Sequence, residues 1–214
     1  APPLAHISLA GLANITDASM VPLIARFGPQ LLSLNLAGCA SLTDDTLMQI
    51  RAACRSLEKL NISHLVDIST TALLALFCSA EVLRDMQIVS QRADNPNPDN
   101  PNPADLGRVD VDGKEIPGAL NQGIGPLQEV RLAGLSALTD EVMHHLAGGT
   151  GNRLRILDVG GCSKLTSRFA AMLSVLCPAL EKVDLSFVRL VSSEALAHMV
   201  NSCTRLTHAH VWGC

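Results

Sequence analysis

One short pattern returns along this chain at an almost fixed interval, and nothing else in the sequence constrains the fold as tightly. Leu31-Leu32-Ser33-Leu34-Asn35-Leu36-Ala37-Gly38-Cys39 recurs as Leu57-Glu58-Lys59-Leu60-Asn61-Ile62-Ser63-His64-Leu65 and as Leu127-Gln128-Glu129-Val130-Arg131-Leu132-Ala133-Gly134-Leu135. Further copies begin at Leu4, Leu154, Leu180 and Leu206. With one strand position as a ruler, the copies fall at Leu9, Leu36, Ile62, Ile88, Leu132, Val159, Leu185 and Val211, in steps of 27, 26, 26, 44, 27, 26 and 26 residues. A constant period with one long step is the mark of a solenoid carrying a single insertion.

Each copy follows one physical scheme. Apolar residues alternate around a short strand and point inward, leaving the intervening side chains on the open face. Three residues past the ruler comes an inward small or apolar residue: Leu12, Cys39, Leu65, Leu135, Cys162, Val188 or Cys214. Three further on comes Ile15, Leu42, Ile68, Leu138, Leu165 or Val191. Thr16, Thr43, Ser69, Thr139, Thr166 and Ser192 then stand where a helix N-cap belongs. Acids follow in the first turn, among them Asp17, Asp44, Asp140 and Glu194, where the helix dipole favours them. Leu47, Ile50 and Cys54 continue at helical spacing, as do Met172, Val175 and Leu176. The expected fold is α/β: a leucine-rich-repeat solenoid, or horseshoe, with a parallel concave sheet, convex helices and one long insertion. Residues 1–214 read as a single repeat-domain fragment, with N-terminal repeats 1–88, an insertion 89–126 and C-terminal repeats 127–214.

Composition agrees with a repeated core. Leucine fills 34 of the 214 positions while aromatics make up 2%, so regular stacking has to replace irregular packing around large rings. The scarcity of aromatics also argues against a base-stacking platform, and a net charge of −4 gives no electrostatic footprint for phosphate backbones. Direct nucleic-acid binding is not expected. No apolar run is long enough to span a bilayer, and Ala1-Pro2-Pro3-Leu4 shows neither an initiator Met nor a signal peptide. The chain reads as a piece of a longer one.

The seven cysteines are periodic. Cys39, Cys162 and Cys214 share one register, and Cys54, Cys177 and Cys203 share another, three residues before the next repeat's first leucine. Cysteines in register are expected to stack as small buried hydrophobes in a reducing compartment. No C-x-x-C pair points to zinc. Cys78 fits neither register and reads as a helix-face core residue.

A cysteine after the strand and a Thr-Asp opening the helix resemble the cysteine-containing leucine-rich repeats of F-box ubiquitin-ligase receptors. The resemblance covers residues 4–88 and 127–214 and implies a partner-binding horseshoe. Val183-Asp184-Leu185-Ser186-Phe187-Val188-Arg189 is more specific, because Phe187 and Arg189 flank the inward Val188 where other copies have Gly38/Ala40, His64/Val66, Gly134/Ser136 and Gly161/Ser163. With Val211-Trp212-Gly213-Cys214 one repeat later, it resembles the leucine-rich-repeat subunit of the fungal damage-recognition factor of global-genome nucleotide-excision repair. That resemblance implies a Swi/Snf-type ATPase and elongin and cullin components as partners, and a nuclear location. Two departures are Ser192-Ser193, where the family carries an acidic pair, and the insertion.

The insertion opens with Asn95-Pro96-Asn97-Pro98-Asp99-Asn100-Pro101-Asn102-Pro103, whose X-Pro steps disfavour helix. Val109-Asp110-Val111-Asp112-Gly113-Lys114-Glu115-Ile116 follows and reads as a small hairpin. Six acids against three bases between 89 and 126 give −3, so most of the chain's net charge is expected on this segment. Asp110-x-Asp112-Gly113 lacks the remaining ligands of a calcium loop. A surface insertion, or a Pro-rich docking peptide, is the expectation.

The register also names the concave face. The outward pairs are His6/Ser8, Ser33/Asn35, Lys59/Asn61, Asp85/Gln87, Glu129/Arg131, Ile156/Asp158, Lys182/Asp184 and His208/His210. The N-terminal copies are small and nearly neutral, whereas from Glu129 onward the face becomes charged in both signs and ends beside the single Trp. Partner-binding candidates are therefore Glu129, Arg131, Asp158, Lys182, Asp184, Phe187, Arg189, His208, His210 and Trp212, since Trp and Arg commonly anchor interfaces. His208 and His210 share a strand face near Asp184, but these three ligands fall short of an expected metal site. No Ser-His-Asp register surrounds Ser33, Ser63 or Ser186, and Gly148-Gly149-Thr150-Gly151 lacks the lysine of a phosphate loop. Neither a cofactor nor an enzymatic activity is expected. The reading is a protein-interaction scaffold in a repair and cullin-type ligase complex; a generic F-box-type receptor and a stand-alone recognition module are the alternatives.

Overall fold

Among the described residues, seven three-residue strands lie side by side in chain order, all parallel, in one sheet. They are β1 His6–Ser8, β2 Ser33–Asn35, β3 Lys59–Asn61, β4 Glu129–Arg131, β5 Ile156–Asp158, β6 Lys182–Asp184 and β7 His208–His210. This computed structural model describes residues 4–78 and 124–214. The ladder is in strict register: Leu34, Leu60, Val130, Leu157 and Val183 pair in sequence and are all buried. Their neighbours on either side point outward. A side-chain cap ends several of the strands. Asn35, Asn61, Asp158 and Asp184 each accept, through Oδ1, the N–H two residues on, at 2.8–3.1 Å.

Six helices among the described residues return behind the sheet: α1 Asp17–Phe27, α2 Asp44–Ala53, α3 Thr70–Phe77, α4 Asp140–Thr150, α5 Ser167–Leu176 and α6 Ser193–Ser202. Thr43, Ser69, Thr139, Thr166 and Ser192 each accept a first-turn N–H through the side-chain oxygen, as the sequence predicts. Thr16 does not; its hydroxyl faces Ser19 instead. Leu36, Ile62, Leu132, Val159 and Leu185 are fully enclosed between sheet and helices. They belong to a single core that runs the length of the described stack.

Two ladders absent from the sequence reading stitch neighbouring repeats. The first-turn acids do more than answer the helix dipole. Asp17 accepts from the Thr43 N–H (3.0 Å), Thr43 Oγ1 (2.9 Å) and Thr46 Oγ1 (2.6 Å) of the next repeat. Asp44 accepts from the Ser69 N–H, and Asp140 from both Thr166 N–H and Thr166 Oγ1. The second ladder explains why cysteine suits the post-strand position. Cys39, Cys162 and Cys214 donate their thiols to the carbonyls of Leu9, Leu132 and Leu185, one repeat earlier, at 3.0–3.2 Å.

Several expectations need correction. Leu12 is 50% exposed and Cys214 is exposed, because each lies at an end of the described stack with a neighbour on one side only. Val175 is 74% exposed and does not face the core, while Met172 and Leu176 are half-buried and pack against its margin, so this set is not the fully enclosed face of α5. Counting from the ruler selects Ala170, Leu173 and Cys177 as the equivalents of Leu47, Ile50 and Cys54, and all six are buried. Cys78 is no outlier: it occupies the C-cap of α3 as Cys54, Cys177 and Cys203 occupy those of α2, α5 and α6. Helix α3 spans 8 residues against 10 in the others named, which hides the match from simple counting. Burial pushes the Cys54 and Cys162 thiols up to about 11 and that of Cys177 to about 12.

Strand β3 pairs directly with β4, Lys59 opposite Glu129, so β4 stands where the repeat count put Asp85/Gln87. Asp85 and Gln87, the Pro-rich run and the hairpin expected at 109–116 lie outside the described residues. Ile124, at the end of the expected insertion, is buried in the core.

Candidate partner-binding surface

Strict register turns the outward residues into two parallel rows on the concave face, with neighbours about 4.8 Å apart. One row runs His6, Ser33, Lys59, Glu129, Ile156, Lys182, His208; the other runs Ser8, Asn35, Asn61, Arg131, Asp158, Asp184, His210. Seven of the ten predicted site residues therefore share one face. Glu129 sits between two cations, Lys59 Nζ at 3.5 Å and Arg131 Nη2 at 2.7 Å. The sequence reading chose Glu129 and Arg131 but missed Lys59 as their partner. With Asn35 and Asn61 these residues line a shallow depression in the middle of the sheet.

Toward the C-terminal end the face turns acidic and then imidazole-lined. Asp158 and Asp184 are adjacent in register. Burial pushes the Asp158 carboxyl up; the Gly160 N–H opposes this and the Asp184 charge reinforces it. For Asp184 burial acts in the same direction, but hydrogen bonds from Ser186 and His210 prevail and hold its carboxyl below the usual value. His210 Nδ1 lies 3.3 Å from Asp184 Oδ2. His208 turns to Thr207 Oγ1 at 2.9 Å and does not join that pair. No group of three or more His, Cys, Asp or Glu side chains converges on a metal-sized site among the described residues. No described helix is long and apolar enough to cross a membrane.

The three remaining candidates lie on the rim, in the turns that follow β6 and β7. Val188 is buried between exposed Phe187 and Arg189, as the sequence predicts, and Trp212 is exposed one repeat later. Backbone geometry adds something the motif alone did not. The second residue after the ruler takes positive φ in every described repeat: Gly11, Gly38, His64, Gly134, Gly161, Phe187 and Gly213. Glycine is suited to that position, so His64 (φ 60) and Phe187 (φ 62) are the exceptions. Each lays its ring on the glycine of the next repeat, His64 on Gly134 and Phe187 on Gly213. Leu190, a residue the sequence reading passed over, is exposed on the same turn as Phe187. An apolar residue in a polar rim was the signal that could have found it.

Parallel strands in unbroken order, helices on one side and a repeat of 26–27 residues decide the architecture. The fold is a leucine-rich-repeat solenoid. No protein-family model and no curated protein matches the chain. Among solved structures it is similar to the crystal structure of the Rad7 and Elc1 complex in yeast, with a TM-score of 0.64 over 93% of this chain and 20% identity. The match covers 40% of the other chain, so this sequence spans less than half the length of that neighbour. The likeness is one of fold: a Rad7-type repeat solenoid.

Proposed function

We propose that the chain is a non-enzymatic interaction scaffold that receives a protein partner on its concave face, within a nuclear nucleotide-excision-repair and cullin-type ubiquitin-ligase assembly. The observation that carries this reading is the pair of outward rows, which place Arg131, Asp158, Lys182, Asp184, His208 and His210 on one continuous surface backed by a rigid core. Presenting side chains from a stacked sheet is how solenoids bind extended partners. Rad7 seen in complex with Elc1 supports an elongin-type component among the partners, and the sequence resemblance adds a Swi/Snf-type ATPase and a cullin.

The experiment is affinity purification of the full-length protein from its own cells, wild type beside an Arg131→Glu/Asp184→Lys variant. Wild type brings down an elongin-type adaptor, a cullin and the ATPase, and the variant loses at least one of them while folding normally. A Skp-type adaptor in their place would select the F-box-receptor alternative, and no adaptor of either kind would sink both. The concave cations on the described strands are Lys59, Arg131 and Lys182, and two of these share Glu129, so duplex DNA is not a ligand of this face. Steeply salt-dependent binding to a DNA duplex would contradict that.

A further inference from the structure

The middle of the concave face is bipolar, and one of its charges lacks a counterpart. Strands β3 to β6 each have a described strand on both sides, so what they expose is set by the stack itself. Arg131 and Asp158 are opposite each other in register, yet Arg131 turns its guanidinium to Glu129, where Lys59 also points. Glu129 is mostly covered, with 17% of its side chain exposed, against 55% for Lys59 and 46% for Arg131. One carboxylate held beneath two cations leaves a surplus positive charge over β3 and β4. Asn35 and Asn61 use Oδ1 to accept backbone N–H groups, which leaves each Nδ2 able to donate on the same side.

Over β5 and β6 the sign reverses. Asp184 is engaged by the Ser186 N–H and by His210, but Asp158 forms no ion pair among the described residues. Its Oδ1 accepts from the Gly160 N–H at 3.1 Å, and its Oδ2 accepts nothing among them. Burial pushes the Asp158 carboxyl up, as expected of a carboxylate that no cation pairs. Beside it the sheet leaves room. Gly160 stands where Ala37, Ser63, Ala133 and Ser186 stand in other repeats, and no positive φ demands glycine there. A Cβ at Gly160 would lie 3.4 Å from Asp158 Oδ1 and 3.6 Å from Asp184 Oδ1, so its absence opens the space next to both acids. The cations of β3–β4 and the acids of β5–β6 are two strand spacings apart, about 10 Å, which an extended chain covers in about three residues. We propose that an extended segment of a protein partner crosses β3 to β6, with an Asp or Glu on Lys59 and Arg131 and, about three residues away, a Lys or Arg on Asp158 beside Gly160. The partner's cation supplies the counterpart that Asp158 lacks. This deepens the interaction-scaffold reading and rests on it.

The probe is a short fluorescein-labelled Ser/Gly peptide carrying one Glu-x-x-Arg step, titrated with the full-length protein at low ionic strength and read by anisotropy. Companion peptides carry two Glu, two Arg, or Gln in place of the Arg. The Glu-x-x-Arg peptide should bind tightest. Asp158→Asn keeps the Oδ1 acceptor that Asn35 and Asn61 use at the same strand position, so the fold should stay intact, which thermal melts check. That variant should weaken the Glu-x-x-Arg peptide about fivefold or more and leave the Gln-containing peptide unchanged. Gly160→Ala, the residue type of Ala37 and Ala133, should also weaken the Glu-x-x-Arg peptide, by filling the space beside the acids. No binding of the Glu-x-x-Arg peptide, or equal binding of the two-Glu or two-Arg peptide, would overturn the proposal. Full affinity in Asp158→Asn or Gly160→Ala, or an equal loss for the Gln-containing peptide, would overturn it too. None of these outcomes touches the scaffold reading, which copurification tests. Absence of any adaptor there would sink that reading and leave the peptide affinities standing.

Discussion

Asp17 shows how much one surface-facing carboxylate can carry in a repeat stack. Its oxygens take donors from Thr43 and from Thr46, whose side chain is fully enclosed. Asp17→Ala should cost about 1–3 kcal/mol, because the buried Thr46 hydroxyl would be left without an acceptor. The same contacts set a pH dependence. Burial alone would raise the Asp17 carboxyl, but the bonds from Thr46 and Thr43 outweigh it and hold the group below its ordinary value. A depressed carboxyl gives stability that is present above the unfolded-state pKa, about 4, and is lost as pH falls through the folded value. Thermal melts taken from pH 7 down to 3 should show a steeper acid-side decline for wild type than for Asp17→Asn. Parallel declines would remove Asp17 from the account. The cysteines yield a simpler test. Six are buried and Cys214 is exposed, so a thiol reagent should modify one group rapidly in the native chain and all seven after unfolding. A rapid count above one would contradict the burial of the stacked registers.

The elements show where reading by period succeeds and where it slips. Strands were legible because their inward residues repeat at spacings of 26 and 27, and apart from the β3–β4 pair the observed ladder joins the residues that count aligns. N-caps were legible for a related reason: hydroxyl residues recur directly ahead of the helices and usually cap. The helix register was less secure. In α5 nearly every position is apolar or small, so Met172, Val175 and Leu176 look as periodic as Ala170, Leu173 and Cys177. Only the neighbouring repeats decide which set faces inward. The difference is measurable. Leu173→Ala should cost about 2–5 kcal/mol, while Val175→Ser should stay within about 0.5 kcal/mol of wild type. The opposite order in chemical denaturation would restore the simpler spacing. The acid ladder was hidden for another reason: Asp17, Asp44 and Asp140 have a sufficient local role at their own helix starts, and nothing in one sequence shows that their oxygens reach across to the next repeat.

At the scale of the whole molecule, the candidate site was legible as rows of residues but not as pairs. Register placed Glu129, Arg131, Asp158, Lys182, Asp184, His208 and His210 on one face, yet the convergence of Lys59 and Arg131 on Glu129 depends on side-chain reach between strands. The strain at Phe187 was half visible, as a break in a glycine column whose positive φ only the backbone reveals. The architecture itself makes the last prediction. Each repeat contacts chiefly its neighbours, so damage should stay near its source. Leu157 sits in the middle of β5 with its side chain enclosed by the core. Leu157→Ala should therefore cost about 2–5 kcal/mol in the repeats that touch it. Hydrogen exchange followed by mass spectrometry should show protection falling across residues 127–214, while peptides from 31–78 keep theirs. Equal loss in both blocks would mean that the direct β3–β4 pairing welds them into one cooperative unit. No loss anywhere would contradict the inward placement of Leu157, and with it the register on which the concave rows depend.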